Sequence, residues 1–111
     1  MAIQTLAFDG ALLRRGFWLY VAEIMPKSGS AVYYVGRTGD TPRNGAQSPF
    51  NRLTQHFGFN KKNNPIRTLL EKRGIDPEHC GFKFIAFGPV RPEASDPDVH
   101  NSYVAIVSGL E

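Results

Sequence analysis

At Ser48-Pro49, Asn64-Pro65 and Asp96-Pro97 a short polar residue stands directly before a proline, with an apolar run at helical spacing behind it. Each pair reads as a helix start. The side-chain oxygen can bond an amide N–H that the first turn leaves unpaired, and the proline takes the first helical position, where its missing N–H costs nothing. The spacing behind each pair agrees. Over 49–57, Phe50, Leu53 and Phe57 share one face before Gly58; over 65–73, Ile66, Leu69 and Leu70 are the buried set before Gly74. In the third helix Val99, Tyr103, Ile106 and Leu110 recur at helical spacing, and Glu111 shares a face with His100, Val104 and Val107 that is expected to be partly buried. The pattern is still periodic at Glu111 with no stop signal. The sequence is therefore expected to be cut at this last helix.

The remaining apolar segments read as strands. Phe17 to Ile24 is aromatic and β-branched, Pro26 to Ser30 supplies turn chemistry, and Ala31 to Gly36 is a second strand, so the two predict an antiparallel hairpin. In Gly81 to Phe87, Phe82 and Phe84 alternate with Lys83, which predicts a third strand. Residues 1–16 read as an N-terminal arm, irregular or a short strand, and 17–111 as one domain. The element order is β-β-α-α-β-α, an α+β fold in which a small three-stranded antiparallel sheet is flanked by helices.

A chain of 111 residues with 41% hydrophobic content has material for one core. No apolar run reaches the roughly 18 residues of a membrane span, and no secretory leader is evident. A cytoplasmic location is expected, at the nucleoid if the source is bacterial. Cys80 is the one cysteine, and His56, His79 and His100 are scattered, so a structural zinc site has no ligand pattern. The formal net charge of +3 hides an uneven distribution. From Arg14 to Arg73 eleven basic residues face three acidic ones; from Gly74 to Glu111 two face six. A basic body of this kind attracts polyanions, nucleic acid among them.

Trp18-Leu19-Tyr20 on the first strand, Tyr34-Val35-Gly36 on the second, Arg52 followed one turn later by His56 on the first helix, and Glu111 on the last occur in this order. Together with the element order, they make residues 17–111 resemble the GIY-YIG nuclease domain. Trp18 stands where the family has glycine, and thirteen residues separate the two tyrosines, a little more than is usual there. The resemblance implies a metal-dependent endonuclease that hydrolyses phosphodiester bonds, in DNA rather than RNA, with Mg²⁺ or Mn²⁺ held by Glu111. It further implies that Tyr20 and Tyr34 share activation of the attacking water. Phenol has a pKa of about 10 and needs nearby positive charge to act near neutrality.

The residues themselves add chemistry. Arg52 carries a planar fork suited to phosphate oxygens and shares a helix face with His56, which is suited to proton traffic. The resemblance also implies that Arg37, directly after the second motif, lies at the phosphate or leaving group. Glu23 and Glu93 are alternative metal ligands. Arg43, Lys61, Lys62, Arg67 and Lys72 are assigned to the nucleic-acid backbone, where contacts set affinity without reading sequence. Two other functions use the same fold: a nucleic-acid-binding module without turnover, and a protein-interaction domain with an incidental basic face. Neither needs the tyrosine, arginine and glutamate set.

Overall fold

The two aromatic, β-branched segments pair as an antiparallel hairpin, β1 (Gly16–Pro26) with β2 (Val32–Arg37). The computed structural model describes residues 1–27, 29–39, 46–60, 62–93 and 96–110, with Val107 and Ser108 by backbone alone. A third strand, β3 (Cys80–Pro92), pairs antiparallel with the other edge of β1, giving the order β2-β1-β3. It runs beyond the predicted 81–87 at both ends. Gly88, Pro89 and Pro92 look like breakers in the sequence, but an edge strand accommodates prolines that a central strand would not.

The three cap-proline pairs open α1 (Pro49–Phe57), α2 (Pro65–Lys72) and α3 (Pro97–Leu110). Ser48 accepts from the Asn51 amide at 3.1 Å and Asp96 from the Asp98 amide at 2.8 Å, as the capping argument requires. Asn64 stands at the N-cap of α2, but its side chain makes no cap bond there. Its amide nitrogen donates to the Gly58 carbonyl at 2.8 Å, and its oxygen accepts from the Thr68 hydroxyl at 2.8 Å. The side chain thus ties the end of α1 to the first turn of α2. It is buried in the packed structure, where a cross-link between two elements satisfies more polar atoms than one cap bond.

Alternation along the strands divides the sheet into two faces. Tyr20, Ala22 and Ile24 share the inner face with Val32, Tyr34 and Gly36, their partners across the hairpin. Ala22, Ile24, Ile66 and Leu70 form a buried cluster there, with Tyr34, Phe57 and Phe84 packed around it. Each fully buried aliphatic side chain contributes about 1.5–3 kcal/mol relative to exposure. α2 is pinned against the sheet by this contact.

α3 lies on the other face. Tyr103 and Val104 pack with Leu19 against buried Phe17 and Ala46, and the Phe17 ring lies 5.2 Å from His100 and 5.5 Å from Tyr103. Of the periodic set Val99, Tyr103, Ile106 and Leu110, Tyr103 packs inward while Leu110 is 56% exposed; His100 and Val104 lie on the side turned to the sheet. Apolar residues occur nearly all round this helix, so periodicity alone cannot choose a face; the position of Phe17 does. Beyond α3 the outer face carries exposed Tyr33, Val35, Ile85 and Phe87.

The arm is neither strand nor featureless. Residues Gly10–Leu13 form one 3-10 turn capped by Asp9, and Phe8 stacks on Phe50 with centroids 4.5 Å apart. Phe50, Leu53 and Phe57 on α1 therefore face an apolar groove that they share with Leu6 and Phe8.

Candidate functional site

α1 lies against the inner face of the sheet, where Phe57 stands edge-on to Phe82 with ring centroids 4.7 Å apart. His56 is fully buried against the inner face. Its Nε2 lies 2.5 Å from the Tyr20 hydroxyl, and its ring stands edge-on to Tyr34 with centroids 5.0 Å apart. Tyr20 comes from β1, Tyr34 from β2 and His56 from α1, so three elements meet at one imidazole. The sheet has a feature that permits this. Tyr20 is registered opposite Gly36, and its ring and hydroxyl lie directly over that glycine, so that any Cβ there would overlap the phenol. The glycine of the second motif is thus the seat of the tyrosine of the first.

Arg52, one turn before His56, is half-buried and donates to the Gln55 side chain at 3.1 Å. Burial first, and then the Arg52 charge, lower the His56 pKa to about 4. At neutral pH the imidazole is therefore uncharged, and it exchanges a hydrogen bond with Tyr20 as a neutral ring. Proton traffic near neutrality needs a histidine close to its ordinary value of about 6.5; the buried setting makes His56 a fixed neutral partner instead.

The two tyrosines are not equivalent. Tyr20 is 2% exposed, whereas Tyr34 is half-buried and lines an open groove of about 350 Å³ with Lys62, Asn64, Thr68 and Lys72. Of the phosphate-binding residues predicted, Lys62 and Lys72 stand in this groove. Arg67 is used differently: its Nε and Nη2 donate to the Phe57 carbonyl at 3.0 and 2.9 Å, capping the end of α1. Arg37 is registered opposite Leu19, so alternation turns it to the outer face, away from Tyr20 and Tyr34. Arg43, Lys61 and Glu111 lie outside the described residues.

Glu23 lies on the outer face, registered between Tyr33 and Lys83. Glu93 pairs with Arg15 at 2.5 Å and accepts from the Ala46 amide at 2.8 Å. Among the described residues no three His, Cys, Asp or Glu side chains gather as a metal-binding group. The described side chains do not form a metal site by themselves.

Thr38 went unnoticed in the sequence. It is 1% exposed, accepts from the Trp18 amide at 2.9 Å and donates to the Gly16 carbonyl at 2.5 Å. The next residue, Gly39 (φ +81°), lies under the Phe17 ring, a backbone setting that favours glycine. These contacts lock the end of β2 onto β1 and hold the two tyrosine-bearing strands in register. A Thr-Gly pair just after the second strand was the available signal. Trp18, in place of the motif glycine, is buried, and its indole N–H donates to the Arg14 carbonyl at 3.1 Å. Comparison of the chain with protein-family models, curated proteins and solved structures finds no match in any of the three.

Proposed function

We propose that this protein is a GIY-YIG-type endonuclease that hydrolyses phosphodiester bonds in nucleic acid, DNA in preference to RNA. The observation that carries this reading is the meeting of Tyr20, Tyr34 and His56, from three elements, one helical turn from Arg52 and with Gly36 beneath Tyr20. A sheet-packing role alone does not require a tyrosine hydroxyl against a buried neutral histidine. Hydrolysis requires an activated water and a counter-charge for the phosphoryl oxygens in the transition state. Tyr34, on the groove wall, is the group that meets the water and orients it. Tyr20 and His56 stand behind it as a buried hydrogen-bonded pair that fixes the tyrosine-bearing strands and polarises the inner face. Arg52 presents its guanidinium to the phosphate. Arg37, on the other face, is not given a part in the chemistry.

A divalent ion, Mg²⁺ or Mn²⁺, belongs to the proposal through Glu111 with water completing the shell, as suits an ion that keeps much of its hydration. When bound it supplies charge neutralisation at the scissile phosphate. The reading is tested by incubating plasmid and branched DNA with the protein, with and without Mg²⁺, beside Tyr20→Phe, Arg52→Ala and Glu111→Ala. Cleavage that requires the ion and falls in the variants is expected. Full activity in all three variants contradicts it, and salt-sensitive binding without cleavage under any divalent ion favours the binding module instead.

A further inference from the structure

The groove beside Tyr34 is a built feature. Tyr34, Lys62 and Lys72 are among its lining residues, and that lining among the described residues contains no Asp or Glu. The walls are stapled. Asn64 joins the Gly58 carbonyl to the Thr68 hydroxyl, and Arg67 joins α2 to the Phe57 carbonyl through two N–H groups. The link between α1 and α2 is therefore fixed by side chains that are spent on holding it. The two lysines are exposed and stand at opposite ends of the α2 segment, one just ahead of Asn64 and one at the last residue of the helix. Two positive charges without a lining carboxylate make a site for an anion, and about 350 Å³ is at the small end of ligand pockets, about 300–1,000 Å³. That is room for one nucleotide unit and not for a base pair.

We infer that this groove is a phosphodiester subsite, in which Lys62 and Lys72 hold the backbone of the nucleotide next to the one presented to Tyr34, without reading its base. The inference rests on the nuclease reading for the identity of its ligand, but it concerns binding and is tested apart from turnover. It also divides the basic residues by role, with Lys62 and Lys72 binding the ligand and Arg67 holding the wall.

The test is the salt dependence of binding, measured by fluorescence anisotropy with a labelled duplex of about 12 base pairs, enough to span a few contacted phosphates, and the matching single strand, in buffer without divalent ions. Each neutralised phosphate contributes a slope of about −0.9 in log K against log salt for duplex and about −0.7 for single strand. The double variant Lys62→Ala/Lys72→Ala is expected to lose a slope of about 1.8 on duplex or about 1.4 on single strand. Lys62→Arg/Lys72→Arg should retain it, and so should Lys83→Ala on the opposite face. An unchanged slope in the double alanine variant, an equal loss in Lys83→Ala, or no salt-dependent binding by the wild type overturns the inference. If the wild type binds through these lysines and cuts nothing, the subsite stands and the nuclease reading fails. If it cuts while the slope is unchanged, the reverse holds.

Discussion

His56 shows how far burial can move one residue's chemistry. Its folded pKa of about 4 lies below the unfolded value of about 6.5. Between those values the unfolded chain binds the proton and the folded chain does not, so stability rises with pH across that window. The contribution is fully present above about pH 6.5 and is lost as pH falls through about 4, and a gap of about 2.5 units corresponds to about 3 kcal/mol. Urea unfolding at a series of pH values is expected to show this slope in the wild type and a flatter one in His56→Gln. Identical pH dependence in the two proteins contradicts a buried neutral histidine. In the sequence, His56 was visible as the partner of Arg52 on one helix face, but its neutrality was not. That depends on Tyr20 and the sheet, which lie far away along the chain.

At the scale of elements, the local signals were sound and the long-range ones were silent. Cap-proline pairs and strand alternation involve neighbours in sequence, and they located all six major elements of the described chain. The roles of Asn64, Arg67 and Thr38 and the docking of the arm on Phe50 each depend on a residue from another element. No spacing rule reaches them. Asn64 makes the difference measurable. As a simple cap its loss would cost about 1 kcal/mol; as the cross-link between Gly58 and Thr68 it leaves two polar groups without their partner, at about 1–3 kcal/mol each. Asn64→Ala is therefore expected to destabilise the protein well beyond Ser48→Ala, which removes one cap bond. Equal losses in chemical denaturation would show that the α1–α2 tie is not structural.

Across the whole molecule, the uneven charge of the sequence acquires direction. The basic body does not act as one surface: Arg15 is paired with Glu93, Arg67 caps α1, Arg37 is turned to the outer face, and Lys62 and Lys72 open onto the groove at Tyr34. The sheet presents Tyr20 and Tyr34 to that side, while α3 covers part of the other at Phe17 and Leu19. One open tyrosine at a basic groove, backed by a buried tyrosine and a neutral histidine, is the arrangement on which the nuclease assignment depends. The most direct test is the single-turnover cleavage rate of a labelled DNA duplex with Mg²⁺ at saturating protein, for wild type and Tyr34→Phe. Proton-handling groups contribute about 10²–10⁴-fold, so the variant should cut at least about 100-fold more slowly while its circular dichroism spectrum shows the wild-type fold. Equal rates for the two proteins, or no cleavage by the wild type, would contradict the account.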